Sequence, residues 1–165
     1  MPKRYVSLMR YASFLLLFLI TPVAAEPQTA HDFSLPAIDG KNLNLADYRG
    51  KALLVVNTAS YCGFTKQYDG LQGLWKNYRD KGLIVLGVPS NDFGQQEPGK
   101  KDEIKEFCSV NFDVDFPMSD KLAVKGRAAH PFYKWLEEET GSTPKWNFHK
   151  FLIAPNGRAV RDFHR

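Results

Sequence analysis

Two cysteines, Cys62 and Cys108, are all the thiol chemistry available to these 165 residues. No CxxC and no paired-histidine spacing occurs, so the sequence offers no zinc motif, and neither metal nor cofactor is expected. The four histidines (His31, His130, His149 and His164) are scattered and read as surface or packing residues. Internal repeats, low-complexity tracts and linkers are also missing, which leaves one ordinary domain. No basic residues cluster, so nothing suggests a nucleic-acid partner. The longest apolar run, Ala12 to Ile20, is well short of the ~20 residues a spanning helix needs.

That apolar run has another use. Lys3, Arg4 and Arg10 precede it, and Thr21-Pro22-Val23-Ala24-Ala25 follows it before Glu26. A basic head, a short apolar stretch and small residues at its end form a secretory signal peptide. Cleavage is expected after Ala25, with export to a periplasm; no cysteine lies there to carry a lipid. The first 25 residues hold three of the 22 basic residues and none of the 18 acidic ones, leaving 19 against 18 in residues 26–165. The formal charge of +4 therefore belongs mostly to the targeting segment.

The chain is organised around Leu53 to Tyr78. Leu53-Leu54-Val55-Val56 is an apolar run short enough for a buried strand. Asn57 to Ser60 make a polar, small-residue turn, and Tyr61-Cys62-Gly63-Phe64-Thr65 follows. From Thr65 to Asp80, Tyr68, Leu71, Leu74 and Trp75 recur with helical spacing. Cys62 is thus expected where a strand gives way to a helix, facing free backbone N–H groups that favour a thiolate. The plainer alternative is a small buried hydrophobe.

The remaining elements alternate. A short hairpin is expected around Asp39-Gly40, joining Asp32–Leu35 to Asn42–Leu45. Gly82 ends the first helix, and Leu83 to Val88 is a second buried strand. Strand, helix and strand in this order argue for a parallel pair with a right-handed crossover. Helices are expected from about Lys101 to Val110 and from His130 to Glu139. Asn156-Gly157 then joins the strands Lys150–Ala154 and Ala159–Phe163 as a hairpin. The expected class is α/β, a thioredoxin-like fold with a central mixed sheet flanked by helices and an N-terminal β-hairpin. In that fold Cys62-Gly63-Phe64-Thr65 stands where oxidoreductases carry CxxC, and Thr65 replaces the second thiol. One thiolate without a neighbour suits attack on a peroxide O–O bond, giving a sulfenic acid.

These residues also carry a resemblance. Asn57–Leu74 (NTASYCGFTKQYDGLQGL), Leu83–Gly99 (LIVLGVPSNDFGQQEPG), Phe116–Met118 (FPM) and Trp146–Ile153 (WNFHKFLI) resemble the glutathione peroxidase family, in its small, cysteine-containing bacterial form. The resemblance runs from Phe33 to about Arg161. It implies a catalytic tetrad of Cys62, Gln96, Trp146 and Asn147, with Cys62 as peroxidatic nucleophile. Chemically, the Gln96 carboxamide, Trp146 indole N–H and Asn147 amide are neutral donors suited to a thiolate and to charge developing on the leaving oxygen. Taken singly, Trp146 reads as core, and Gln96 and Asn147 as turn residues. Departures from the family pattern are Ser90 for a frequent cysteine, Asp92 and Gln95 beside Gln96, and His149 where threonine is usual. Relatives normally continue into a last helix over the sheet, which is missing from a chain that stops at Arg165.

The resemblance also implies that Cys108, in Glu106-Phe107-Cys108-Ser109, resolves the sulfenic acid as a disulfide, the pattern of the thioredoxin-using branch. The stretch between Leu136 and Trp146 lacks the insertion of tetrameric relatives, which implies a monomer. The sequence therefore reads as an exported thiol peroxidase, residues 26–165, reducing hydrogen peroxide and organic hydroperoxides. Its reducing co-substrate is expected to be a thioredoxin-like protein or glutathione, with no stable membrane insertion after signal removal. Two alternatives stand beside it: a thiol–disulfide oxidoreductase, disfavoured by Thr65, and a non-catalytic domain with a fixed Cys62–Cys108 disulfide.

Overall fold

The computed structural model describes residue 1 and residues 28–164. The expected signal peptide and its cleavage site lie outside the described stretch. Among the described residues, no helix is long and apolar enough to cross a membrane.

The N-terminal hairpin forms as expected. Strand β1 (Ser34–Pro36) pairs antiparallel with β2 (Asn42–Asn44), Leu35 opposite Leu43. The apolar run around Leu53 becomes β3 (Ala52–Thr58), followed by helix α1 (Gln67–Tyr78). The helix is shorter than the spacing predicts. Residues 60–66 form successive turns instead, and Arg79–Lys81 tighten into a 3-10 turn. Gly82 then leaves in the left-handed region (φ 90°), which a residue with a Cβ resists.

Strand β4 (Leu83–Pro89) pairs parallel with β3 along its whole length, from Ala52–Leu83 to Thr58–Pro89. Helix α2 (Lys101–Phe112) starts where the Glu103 carboxylate accepts the Lys100 N–H at 3.0 Å. Helix α3 (Pro131–Thr140) is capped by His130, whose Nδ1 accepts the Phe132 N–H at 3.2 Å. Strands β5 (Lys150–Ile153) and β6 (Ala159–Phe163) form the closing hairpin. The order β4-β3-β5-β6 gives the mixed sheet that the sequence predicts, since β5 runs antiparallel to β3.

Because side chains alternate along a strand, the sheet feeds two cores. Leu53 and Val55 join Ile84, Leu86, Phe151 and Ile153 beneath Phe132, Trp135 and Leu136 of α3. Val56 and Val85 join Tyr68 and Leu71 of α1 with Ile104 and Cys108 of α2 on the other face. Helices therefore cover both faces, as near-continuous apolar strands require. At Gly87 the chain comes so close that an added Cβ would meet Phe116 at 3.1 Å. This lets Met118 bridge to the sheet beside Gly87.

Leu86 is fully buried in the larger core. Leu86→Ala is expected to lower unfolding stability by about 2–5 kcal/mol, measurable as a shift of the urea midpoint with an unchanged slope.

Candidate active site

Parallel strands end together, and loops leaving their carboxyl ends share one edge of the sheet. Strand β3 ends at Thr58 and β4 at Pro89, while antiparallel β5 begins at Lys150 on the same edge. The loops carrying Cys62, Gln96 and Trp146-Asn147 therefore meet there.

Asn57 anchors one of them. Its backbone N–H donates to the His149 carbonyl at 3.2 Å, and its carbonyl accepts the Phe148 N–H at 2.6 Å. Its side-chain Nδ2 donates to the Trp146 carbonyl at 3.0 Å. Phe148 is held at φ 63°, an unfavourable conformation for a bulky residue. Its buried ring stands edge-on to Tyr68, with ring centres 5.2 Å apart. These contacts fix the turn that presents Trp146 and Asn147.

The second loop is tied to the cysteine loop. The Ser60 N–H and hydroxyl both donate to Glu97 Oε2, at 2.9 and 3.1 Å. The Tyr61 N–H donates to the Gln96 carbonyl at 3.0 Å. Lys121 Nζ donates to the carbonyls of Glu97 and Gly99 at 3.1 and 2.9 Å. Burial pushes the Glu97 carboxyl up, while its bonds from Ser60 and the nearby Lys121 charge pull it down. The second and third loops join directly, for Asn147 Nδ2 donates to Gln96 Oε1 at 2.8 Å. The partly exposed Trp146 ring leans on Phe93, centre to centre 5.8 Å.

Cys62 is 5% exposed, although its neighbour Tyr61 is 70% exposed. Its place differs from the expected one. The helix begins at Gln67, and the Cys62 carbonyl instead accepts the Thr65 N–H at 3.1 Å, in a turn that precedes the helix. Cys108 faces the same core cluster from α2, and both cysteines are free thiols. Burial pushes the Cys108 thiol up to about 11.

Of the expected site residues, the structure thus joins Gln96 to Asn147 by their side chains and puts the Gln96 backbone against the residue before Cys62. Asn57, Ser60 and Glu97, which hold this arrangement, escaped the sequence reading. Their signal was weak: polar residues directly after an apolar strand run, or inside a loop. The histidines were read as scattered, but the fold brings two together. His149 Nδ1 lies 3.3 Å from His164 Nδ1, and Asp162 stands beside them.

Asn57→Ala removes the Trp146 tether and leaves a carbonyl unpaired. It is expected to cost about 1–3 kcal/mol, and to shift tryptophan fluorescence as Trp146 loosens.

Known proteins share this arrangement of loops and sheet. The family model described as glutathione peroxidase matches residues 30–137. The chain is 45% identical to a glutathione peroxidase of Lactococcus lactis subsp. cremoris, covering 81% of this chain and 87% of that one. It is 46% identical to the hydroperoxy fatty acid reductase gpx1 of Synechocystis, covering 82% and 86%. The crystal structure of apo Trgpx superposes with a TM-score of 0.69 at 35% identity, over 84% of this chain and 86% of that one. A thioredoxin-family thiol:disulfide interchange protein of Chlorobium tepidum gives 0.64 at 18% identity, over 87% and 90%, and shares the fold alone. With a matching family model over most of the described residues and close relatives across four-fifths of its length, this chain belongs to the glutathione peroxidase family, whose members are peroxidases.

Proposed function

We propose that Cys62 is the peroxidatic nucleophile of an exported thiol peroxidase that reduces hydrogen peroxide and organic hydroperoxides. The observation that carries the reading is the linkage of Asn147 to Gln96, and of Gln96 to the Cys62 loop. It ties the loops that carry these neutral side chains to the loop of a thiol that is nearly closed off from water, which supports the reading. The Cys62 thiolate attacks the outer peroxide oxygen and the O–O bond breaks. That oxygen stays on sulfur as a sulfenic acid, and the other leaves as alkoxide or hydroxide, which takes up a proton to become alcohol or water. Gln96, Trp146 and Asn147 donate to the thiolate and to charge on the departing oxygen. The exposed Tyr61 and Phe64 flank Cys62 and supply an apolar rim for bulky hydroperoxides. The name of the Synechocystis relative supports such substrates.

The Cys108 thiol then attacks the sulfenic sulfur, releasing water and forming a Cys62–Cys108 disulfide. Disulfide formation needs Cα atoms within about 7 Å, and in this cycle the end of α2 opens to bring Cys108 to Cys62. That end is held by the Asp113 and Val114 N–H groups, both donating to the Cys108 carbonyl. A thioredoxin-like protein or glutathione reduces the disulfide by thiol exchange. The protein acts as a monomer in the periplasm, a placing supported by the composition of residues 1–25.

Intact mass after one equivalent of hydrogen peroxide tests the cycle. The reduced protein is expected to lose two hydrogens, Cys108→Ser to gain one oxygen, and Cys62→Ser to do neither. Undiminished peroxide consumption by Cys62→Ser overturns the reading. Gln96→Ala is expected to lower the second-order rate of Cys62 oxidation by about 10²–10³, the usual loss for one donor to developing charge. Stopped-flow tryptophan fluorescence measures it.

A further inference from the structure

We propose that His149, Asp162 and His164 form a binding site for a divalent transition ion of the zinc or copper class. None of its three ligands belongs to the proposed tetrad, although the cavity beside it borders Trp146 and Asn147. One ligand atom from each of the three residues lies within 4.8 Å of the other two. The two Nδ1 atoms are 3.3 Å apart. Two imidazole nitrogens bound at zinc distances and a tetrahedral angle sit about 3.3 Å from each other. The pair is therefore already spaced for an ion.

A second observation concerns His149 alone. The residue is 1% exposed, and its Nε2 lies 3.1 Å from Asp162 Oδ2. That carboxylate lies off the N–H direction, and Nε2 has no hydrogen-bond partner. With the ion at Nδ1, Nε2 is the nitrogen that keeps the proton, on the side of the ring beside Asp162. The ring borders a cavity of about 230 Å³ shared with Lys145, Trp146, Asn147 and His164. Lys145 is exposed, so water screens its charge from an ion held there. Asp162 is itself oriented, because the Ser142 hydroxyl donates to Oδ2 at 2.8 Å. Hydrogen-bonded carboxylates of this kind commonly support metal ligands. Imidazole with one carboxylate selects zinc or copper over magnesium or calcium. Three donors leave a further coordination position for water.

The site clamps the turn after Asn147 to the last strand, so an ion there crosslinks β5 and β6. Zinc added to the tag-free chain carrying Cys62→Ser and Cys108→Ser, which removes thiolate ligands, tests the proposal by calorimetry. One zinc ion per chain is expected, unaffected by excess magnesium. Binding weakens at least tenfold in His164→Ala and in Asp162→Asn; His164 is exposed just beyond the last strand, so its loss leaves the core intact. Copper(II) in place of zinc is expected to show two imidazole nitrogens by electron paramagnetic resonance, and one in His164→Ala. Equal zinc affinity with and without His164, or an unchanged nitrogen count, overturns the site and leaves a hydrogen-bonded histidine pair.

Discussion

Strand β3 is held on both edges and packed on both faces, and the candidate site depends on where it stops. Its parallel partner and its antiparallel partner bind along the same residues, Val55 facing Leu86 on one side and Phe151 on the other. A strand fixed in four directions cannot slip by one residue without turning its apolar set inside out. That rigidity reaches Asn57, which spends both backbone groups and its side chain on the turn from Trp146 to His149. The functional loops thus inherit their register from the sheet rather than from one another.

The site is built from neutral hydrogen bonds over a dry core, and charge is kept to its rear. Among the described residues Glu97 is the one buried carboxylate behind the cysteine loop, and two bonds from Ser60 to Oε2 offset part of its desolvation, burial still holding its carboxyl above the ordinary range. Lys121 reaches the same loop through carbonyl groups, so an ammonium supports the chain path without pairing directly with the carboxylate. Unpaired, Glu97 would be expensive in this setting. Paired, it fixes the backbone that presents Gln96. Cys108 lies deeper, among Tyr68, Ile104 and Phe116, where burial favours the thiol over the thiolate. In the proposed cycle its reactivity therefore rests on leaving the core and on the electrophilic sulfur it meets.

Much of this was legible in the sequence because hydrophobic period and turn chemistry are local signals. The Leu53 run, Gly82 and Asn156-Gly157 each imposed the expected strand, helix end or hairpin. The start of α1 was misplaced because Thr65 and Lys66 satisfy the helical spacing. The Thr65 N–H nevertheless donates to the Cys62 carbonyl, and the Gln67 N–H to the Phe64 carbonyl, in short turns as the chain leaves the strand. The expected tetrad residues were visible as motifs, but the bond between Gln96 and Asn147 was not: they lie far apart in the chain, and the sheet edge brings their loops together. The same holds for His149 and His164. They lie just before β5 and just after β6, at the open end of the closing hairpin, a proximity that pairwise spacing in the sequence does not encode.

Helix α2 ends without glycine. Asp113 takes the left-handed conformation there, at φ 50°, where a side chain is tolerated at some cost. Glycine at this place would relieve that cost and tighten the last turn. The protein keeps the strained Asp113 there instead, five residues after Cys108. On the proposed cycle this sets stability against turnover. A firmer helix end would make a longer-lived protein and a slower enzyme, because each catalytic round has to melt the turn and rebuild it.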